Sequence, residues 1–229
     1  MDQFLDYKTK NDAPKIHRSV FTNKDHGKGE CPNLLPLSNG VIRYTTQSPQ
    51  DAGFCSERTG EAPIGRLVDF GGDWSISGDQ YSFTPTTDTA AVAVTGSSGW
   101  TDYEISADVM IWSKSGDVGL STRVSALESG LNHLKMYTAV ISSATGNLTV
   151  YQVSNTSTPL HSWVLPGGIE ANKWYHLLFA VRSDSLTVTL SGSNHSYTAT
   201  DETFPRGMAG FYGNNGSGGF KNVQIKNLS

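Results

Sequence analysis

Long apolar runs are missing from this chain of 229 residues, and no stretch approaches the roughly 20 residues that a membrane-spanning helix needs. The first twenty residues carry Asp2, Asp6, Lys8, Lys10, Asp12, Lys15 and Arg18, so they hold no apolar signal-peptide core. Charge is scarce as well: 17% of residues are Asp, Glu, Lys or Arg, against about 25% in an ordinary soluble domain. The 17 basic and 21 acidic residues leave a net charge of −4, and the basic ones are scattered. Reading a phosphate backbone takes a concentrated positive patch, so nucleic acid is not an expected partner. Familiar catalytic signatures are also absent. There is no Gly-x-Ser-x-Gly, no His-Glu-x-x-His and no Walker loop, and His17, His26, His133, His161, His176 and His195 show no metal-ligand spacing.

Cysteine is limited to Cys31 and Cys55. A pair enclosing a polar, turn-rich stretch is compatible with one disulfide in an oxidising compartment and also with two free thiols. A bridge there would close a loop of about 25 residues and stabilise it by about 3 kcal/mol in the chain-entropy description. Five glycosylation sequons, at Asn147, Asn155, Asn194, Asn215 and Asn227, agree with that compartment. The expectation is a secreted, extracellular protein.

What is plentiful is Gly (24), Ser and Thr, with Tyr (9), Phe (9) and Trp (5), a composition of short strands and tight turns. Residues 1–30 are polar without a sustained period, whereas from Trp74 short alternating runs recur between turn signals. The reading places a boundary near Gly71-Gly72: residues 1–70 form an N-terminal extension and 71–229 a β-sandwich. In the extension, Ser38-Asn39-Gly40 before Val41-Ile-Arg-Tyr predicts a hairpin, because Asn-Gly supplies the positive-φ positions of a tight turn. In the sandwich, strands are predicted at 74–77, 80–84, 90–95, 103–112, 117–124, 133–142, 147–153, 161–164, 173–182, 185–191, 194–200, 207–212 and 220–226. Tyr103, Ile105, Ala107, Val109 and Ile111 alternate with Glu104, Ser106, Asp108 and Met110, the period of a sheet with one face in the core. About a dozen antiparallel strands suit an all-β jelly-roll sandwich.

Five stretches carry a resemblance. Trp100-Thr-Asp-Tyr-Glu-Ile-Ser-Ala-Asp-Val, Gly116-Asp-Val-Gly-Leu-Ser-Thr-Arg-Val, Lys173-Trp-Tyr-His-Leu, Arg206-Gly-Met-Ala-Gly-Phe-Tyr and Gly219-Phe-Lys-Asn-Val stand in the order seen in concanavalin A-like lectin/glucanase sandwiches. They resemble especially carbohydrate-binding module family 66 and the lectin-like domain of galactocerebrosidase. The resemblance implies a sandwich, carbohydrate recognition, an oligo- or polysaccharide partner and a catalytic domain in the same or a larger enzyme. Those families often read Phe-Asp-Asn-Val in the last strand, and the acid sometimes lies near a structural calcium. Here Lys221 replaces the acid and offers no oxygen, so no cofactor is expected. Gly29-Glu30-Cys31-Pro32 is similar to the Glu-Cys-Pro motif that carries the acid/base glutamate of glycoside hydrolase family 32.

Sugar binding needs flat aromatic faces flanked by planar polar groups that reach vicinal hydroxyls. Arg123 is the leading candidate, because a guanidinium in an apolar strand requires acceptors or a ligand, and it matches the family's arginine. An ion pair with Glu104, Asp108 or Glu128 is the competing role. The resemblance adds Glu128, Asn132, His133 and Tyr137 around it. Trp112 and Asp117 adjoin a neighbouring turn, and Tyr212, Asn214 and Asn215 sit in a Gly/Asn-rich loop whose backbone can approach a ligand. A carbohydrate-binding module accessory to glycan degradation is the favoured function. The alternative is a glycoside hydrolase or polysaccharide lyase using Glu30, or Glu104 and Asp108, as paired carboxylates.

Overall fold

A computed structural model describes residues 41–43, 68–77, 79–85, 90–125, 134–191 and 196–228. Among them there is no helix, and fifteen strands build two antiparallel sheets. The strands are β1 (Val41–Arg43), β2 (Val68–Gly71), β3 (Asp73–Ser77), β4 (Gln80–Thr84), β5 (Ala91–Thr95), β6 (Tyr103–Ile111), β7 (Asp117–Ser125) and β8 (Lys135–Ser142), followed by β9 (Asn147–Ser154), β10 (Thr156–Val164), β11 (Tyr175–Arg182), β12 (Ser185–Leu190), β13 (Ser196–Thr200), β14 (Met208–Asn214) and β15 (Gly218–Asn227). One sheet has the order β13-β12-β11-β6-β15-β4-β3, with β1 also on β15, and the other runs β10-β9-β8-β7-β14-β5-β2. The expected all-β jelly-roll sandwich is the observed architecture.

Alternation decides which faces meet. Along β6, Tyr103, Ile105, Ala107, Val109 and Ile111 are buried, while Glu104, Asp108 and Met110 reach toward solvent. From the opposing sheet come Val118, Leu120, Ala139, Ile141, Leu148, Val150 and Phe211, and together they form one core. Its aromatic centre holds Trp74, Phe83, Phe211 and Phe220, with the rings of Phe211 and Phe220 4.5 Å apart. Each fully buried side chain of that size contributes about 1.5–3 kcal/mol, so this cluster fixes the two sheets face to face.

The strands that end the chain's described part lie in the middle of both sheets. β14 pairs with β7 on one side and β5 on the other, and β15 sits between β6 and the pair β4 and β1. Two strands of the sandwich, β1 and β2, precede the boundary near Gly71-Gly72. Of the expected hairpin, Val41–Arg43 is a strand paired with Gln224–Lys226, and its other arm lies outside the described residues. The outer edge of the seven-stranded sheet is β10, which carries Pro159 and a bulge between Pro159 and His161.

Candidate functional site

Arg123 lies where β7 bulges against β8, with φ of 52°. It is 2% exposed, and its guanidinium donates to backbone carbonyls: Nη1 to Phe204 O at 2.9 Å, Nη2 to Thr101 O at 3.1 Å and Nε to the same oxygen at 3.3 Å. Its acid neighbour is Asp102, at 3.6 Å, rather than Glu104 or Asp108. The backbone N–H of Arg123 donates to Tyr103 Oη at 2.6 Å, and that hydroxyl donates to Met208 O. Burial pushes the Tyr103 hydroxyl well above its ordinary value. Arg123 thus ties β6, β7 and the segment before β14 together at one end of the sandwich.

Tyr137 belongs to the same knot and does not face a ligand surface. Its ring is fully buried against Phe204, its hydroxyl donates to Asp201, and it accepts from Phe204 N at 2.9 Å. Burial and the neighbouring Asp201 raise the Tyr137 hydroxyl to about 12. Burial pushes the Asp201 carboxyl up, but hydrogen bonds from Tyr137 and Thr203 outweigh it and hold the group below its usual value. Beside this knot opens a cavity of about 480 Å³ lined by Thr101, Asp102, Arg123, Ser183, Asp184, Glu202 and Pro205. Among the described residues three carboxylates face it and no aromatic ring does. Glu128, Asn132 and His133 lie outside the described residues, as do Glu30, Cys31 and Cys55.

The opposite end of β7 carries a different constellation. On the outer face of the seven-stranded sheet the register sets Ser142, Asp117 and Asn214 in one row. Thr149, Val140, Gly119, Tyr212 and Val92 form the next row. Gly119 has no room for a Cβ, which would stand 2.3 Å from Ala139 O, and so the second row has no side chain between Val140 and Tyr212. The turn after β14 places Asn215 at φ 56°, a conformation asparagine tolerates, and aims its Nδ2 at Asp117 Oδ2, 2.7 Å away. A cavity of about 200 Å³ results, lined by Asp117, Val140, Ser142, Ala144, Thr145, Thr149, Tyr151 and Asn215. Tyr212 adjoins it, with its hydroxyl raised to about 12 by burial and by the neighbouring Asp117 and Tyr151, and lowered in part by a hydrogen bond with Asn214.

The structure therefore divides the expected residues between two ends. Asp117, Tyr212, Asn214 and Asn215 converge, while Arg123 and Tyr137 stand at the far end of β7. Trp112, half-buried after β6, donates its backbone N–H to Ser217 O and lines neither cavity. Sequence reasoning missed Tyr151, Thr149, Ser142 and Thr145. The signal for the first two was present: Leu148 and Val150 point inward, so Thr149 and Tyr151 share the outward face of β9.

Residues 82–229 match the family described as the galactocerebrosidase C-terminal lectin domain. The chain belongs to that family. Solved structures agree with this lectin-domain fold. The carbohydrate-binding module CBM66 from Bacillus subtilis superposes with a TM-score of 0.61 at 17% identity, covering 73% of this chain and 97% of that one. A protein of unknown function with a galectin-like fold, also from Bacillus subtilis, gives 0.59 at 12% identity over 81% of this chain and 94% of that one. The exoplasmic/lumenal domain of VIP36, bound to Ca2+ and Man3GlcNAc, gives 0.55 at 12% identity over 71% and 84%. No curated protein matches the chain.

On the lectin domain's other outer face, Glu104 and Asp108 both point outward from β6. Asp108 takes His176 Nδ1 on one oxygen at 2.8 Å and Asn222 Nδ2 on the other at 2.6 Å, while Glu104 lies 3.8 Å from Lys226. Four strand residues set the backbones of the two acids about 13 Å apart. Neither acid lines a cavity among those described. The residues in the last strand do not fit a calcium ion. Lys221, across from Asp108, sets its ammonium 4.4 Å over the Trp174 ring, and no three carboxylate, imidazole or thiolate groups cluster among the described residues.

Proposed function

We propose that this lectin domain is an extracellular carbohydrate-binding module serving glycan degradation, and that it holds sugar in the cavity between Asp117 and Tyr151. The observation that carries this reading is the convergence there of a carboxylate, a carboxamide, several hydroxyls and a tyrosine ring. A carboxylate and an amide accept and donate in one plane, as vicinal hydroxyls require, and an aromatic ring receives the C–H side of a sugar. The described lining of the far cavity lacks the ring, and three of the five N–H donors of Arg123 are directed at Thr101 and Phe204. The cysteine pair and the sequons support a secretory route. Asn155 and Asn227 are exposed.

The test is affinity electrophoresis of the chain in gels containing inulin, β-1,4-galactan or arabinan. Retardation is expected in at least one, with a tenfold or greater loss for Tyr151→Ala and Asn215→Ala at an unchanged melting temperature. No retardation by any polysaccharide would overturn the reading. Retardation that survives both substitutions would move the site to the far cavity.

A further inference from the structure

The cavity beside Tyr151 has an uneven charge. Of its eight lining residues only Asp117 is ionisable at neutral pH, and no Lys, Arg or His is among them. Asp117 has no ion-pair partner within 4.0 Å among the described residues, and its one polar contact, Asn215 Nδ2, is neutral. Its full negative charge therefore faces whatever enters. The space is also small. At about 200 Å³ it falls below the roughly 300–1,000 Å³ that holds a drug-sized ligand, which suits one sugar ring rather than a chain segment.

We infer that this cavity takes a single uncharged sugar residue and rejects residues that carry a carboxylate. The inference rests on the carbohydrate reading above and narrows it. A hydroxyl donates to Asp117 and gains a charge-assisted hydrogen bond, whereas a carboxylate has no proton to give and brings a second negative charge within a few ångströms. Among the described residues no cation lines the cavity to offset that repulsion. The selectivity thus arises from an unfavourable element built into the site as much as from the favourable contacts.

Inulin, β-1,4-galactan and branched arabinan, whose side residues keep a free primary hydroxyl, provide the probes, each in three forms: native, with primary hydroxyls oxidised to carboxylates, and with those carboxylates methyl-esterified. Oxidised and esterified polymers share a skeleton and differ in charge. For each polymer that retards the chain natively, the oxidised form is expected to bind at least tenfold more weakly than the ester. Asp117→Asn should narrow that gap to threefold or less while weakening the native polymer. An oxidised polymer bound within threefold of its ester by the unaltered protein would overturn the inference and leave the carbohydrate reading standing. A gap that Asp117→Asn leaves at its original size would also overturn it. Retention of no polymer in any form would overturn both, so the two failures are distinct. The comparison of ester with acid needs no variant, so it stands even where Asp117→Asn lowers stability.

Discussion

Arg123 shows how far a single residue can be read from a sequence. A permanent charge in the strand Gly-Leu-Ser-Thr-Arg demands acceptors, and that demand was visible. Which acceptors meet it was not, because they are the backbone carbonyls of Thr101 and Phe204, remote in the chain and without any side-chain signature. Arg123→Lys is expected to lower stability by about 2–4 kcal/mol, since an ammonium cannot reach both carbonyls from one position and leaves a buried acceptor unpaired. Urea denaturation would measure this, and polysaccharide retardation at low temperature should stay within twofold of the unaltered protein. Asp117, Tyr212, Asn214 and Asn215 were legible for another reason. Short polar residues and glycines after a strand mark a turn whose backbone can approach a ligand, and here that turn brings Asn215 to the wall of a cavity beside Asp117.

At the scale of elements, alternation located thirteen of the strands, and the burial of β6 and β12 follows it residue by residue. β10 was only half foreseen. Its first part, Thr156-Ser-Thr-Pro-Leu, is polar and interrupted by proline, which reads as a turn; it is a strand because an edge position needs pairing on one side alone. The pairing of β1 and β2 with the sandwich was likewise hidden, since three or four residues give no period. Bulges were hidden too. At the bulge between Met208 and Gly210, the chain before β14 runs so close to β7 that a Cβ on Gly207 would stand 2.3 Å from the Arg123 carbonyl carbon. Gly207 also has φ of 153°, so Gly207→Ala is expected to cost about 2–4 kcal/mol through backbone strain and overpacking. A thermal melt beside that of Gly167→Ala would check it. Gly167 also has positive φ, at 87°, but nothing lies within 4 Å of its Cβ, so its loss should be the smaller one.

Across the whole molecule, two buried tyrosines and one half-buried one couple folding to alkaline pH. Tyr103, Tyr137 and Tyr212 all hold their protons above the ordinary value of 10.0. Between pH 10 and 12 the folded chain therefore binds more protons than the unfolded one. The stability they contribute is complete below pH 10 and is lost as pH rises through that window. For Tyr212, held at about 12, the loss is about 2 kcal/mol by pH 12. Urea midpoints measured from pH 9 to 12 should fall, and Tyr212→Phe should make that fall shallower. The sheet orders carry a consequence in time. With β14 and β15 withheld, β2–β5 touch neither β6 nor β7 through any strand pairing: the seven-stranded sheet falls into two pieces, and the eight-stranded one into two pieces and an unpaired β1. A ribosome releases those two strands after all the others. Until then the nascent chain must carry open edges on β4, β5, β6 and β7, and the core aromatics of the early strands wait for Phe211 and Phe220 to arrive. The joining step is thus late, non-local and slow, and a chain stalled before Met208 is the form in which this protein is most exposed to aggregation and to chaperones.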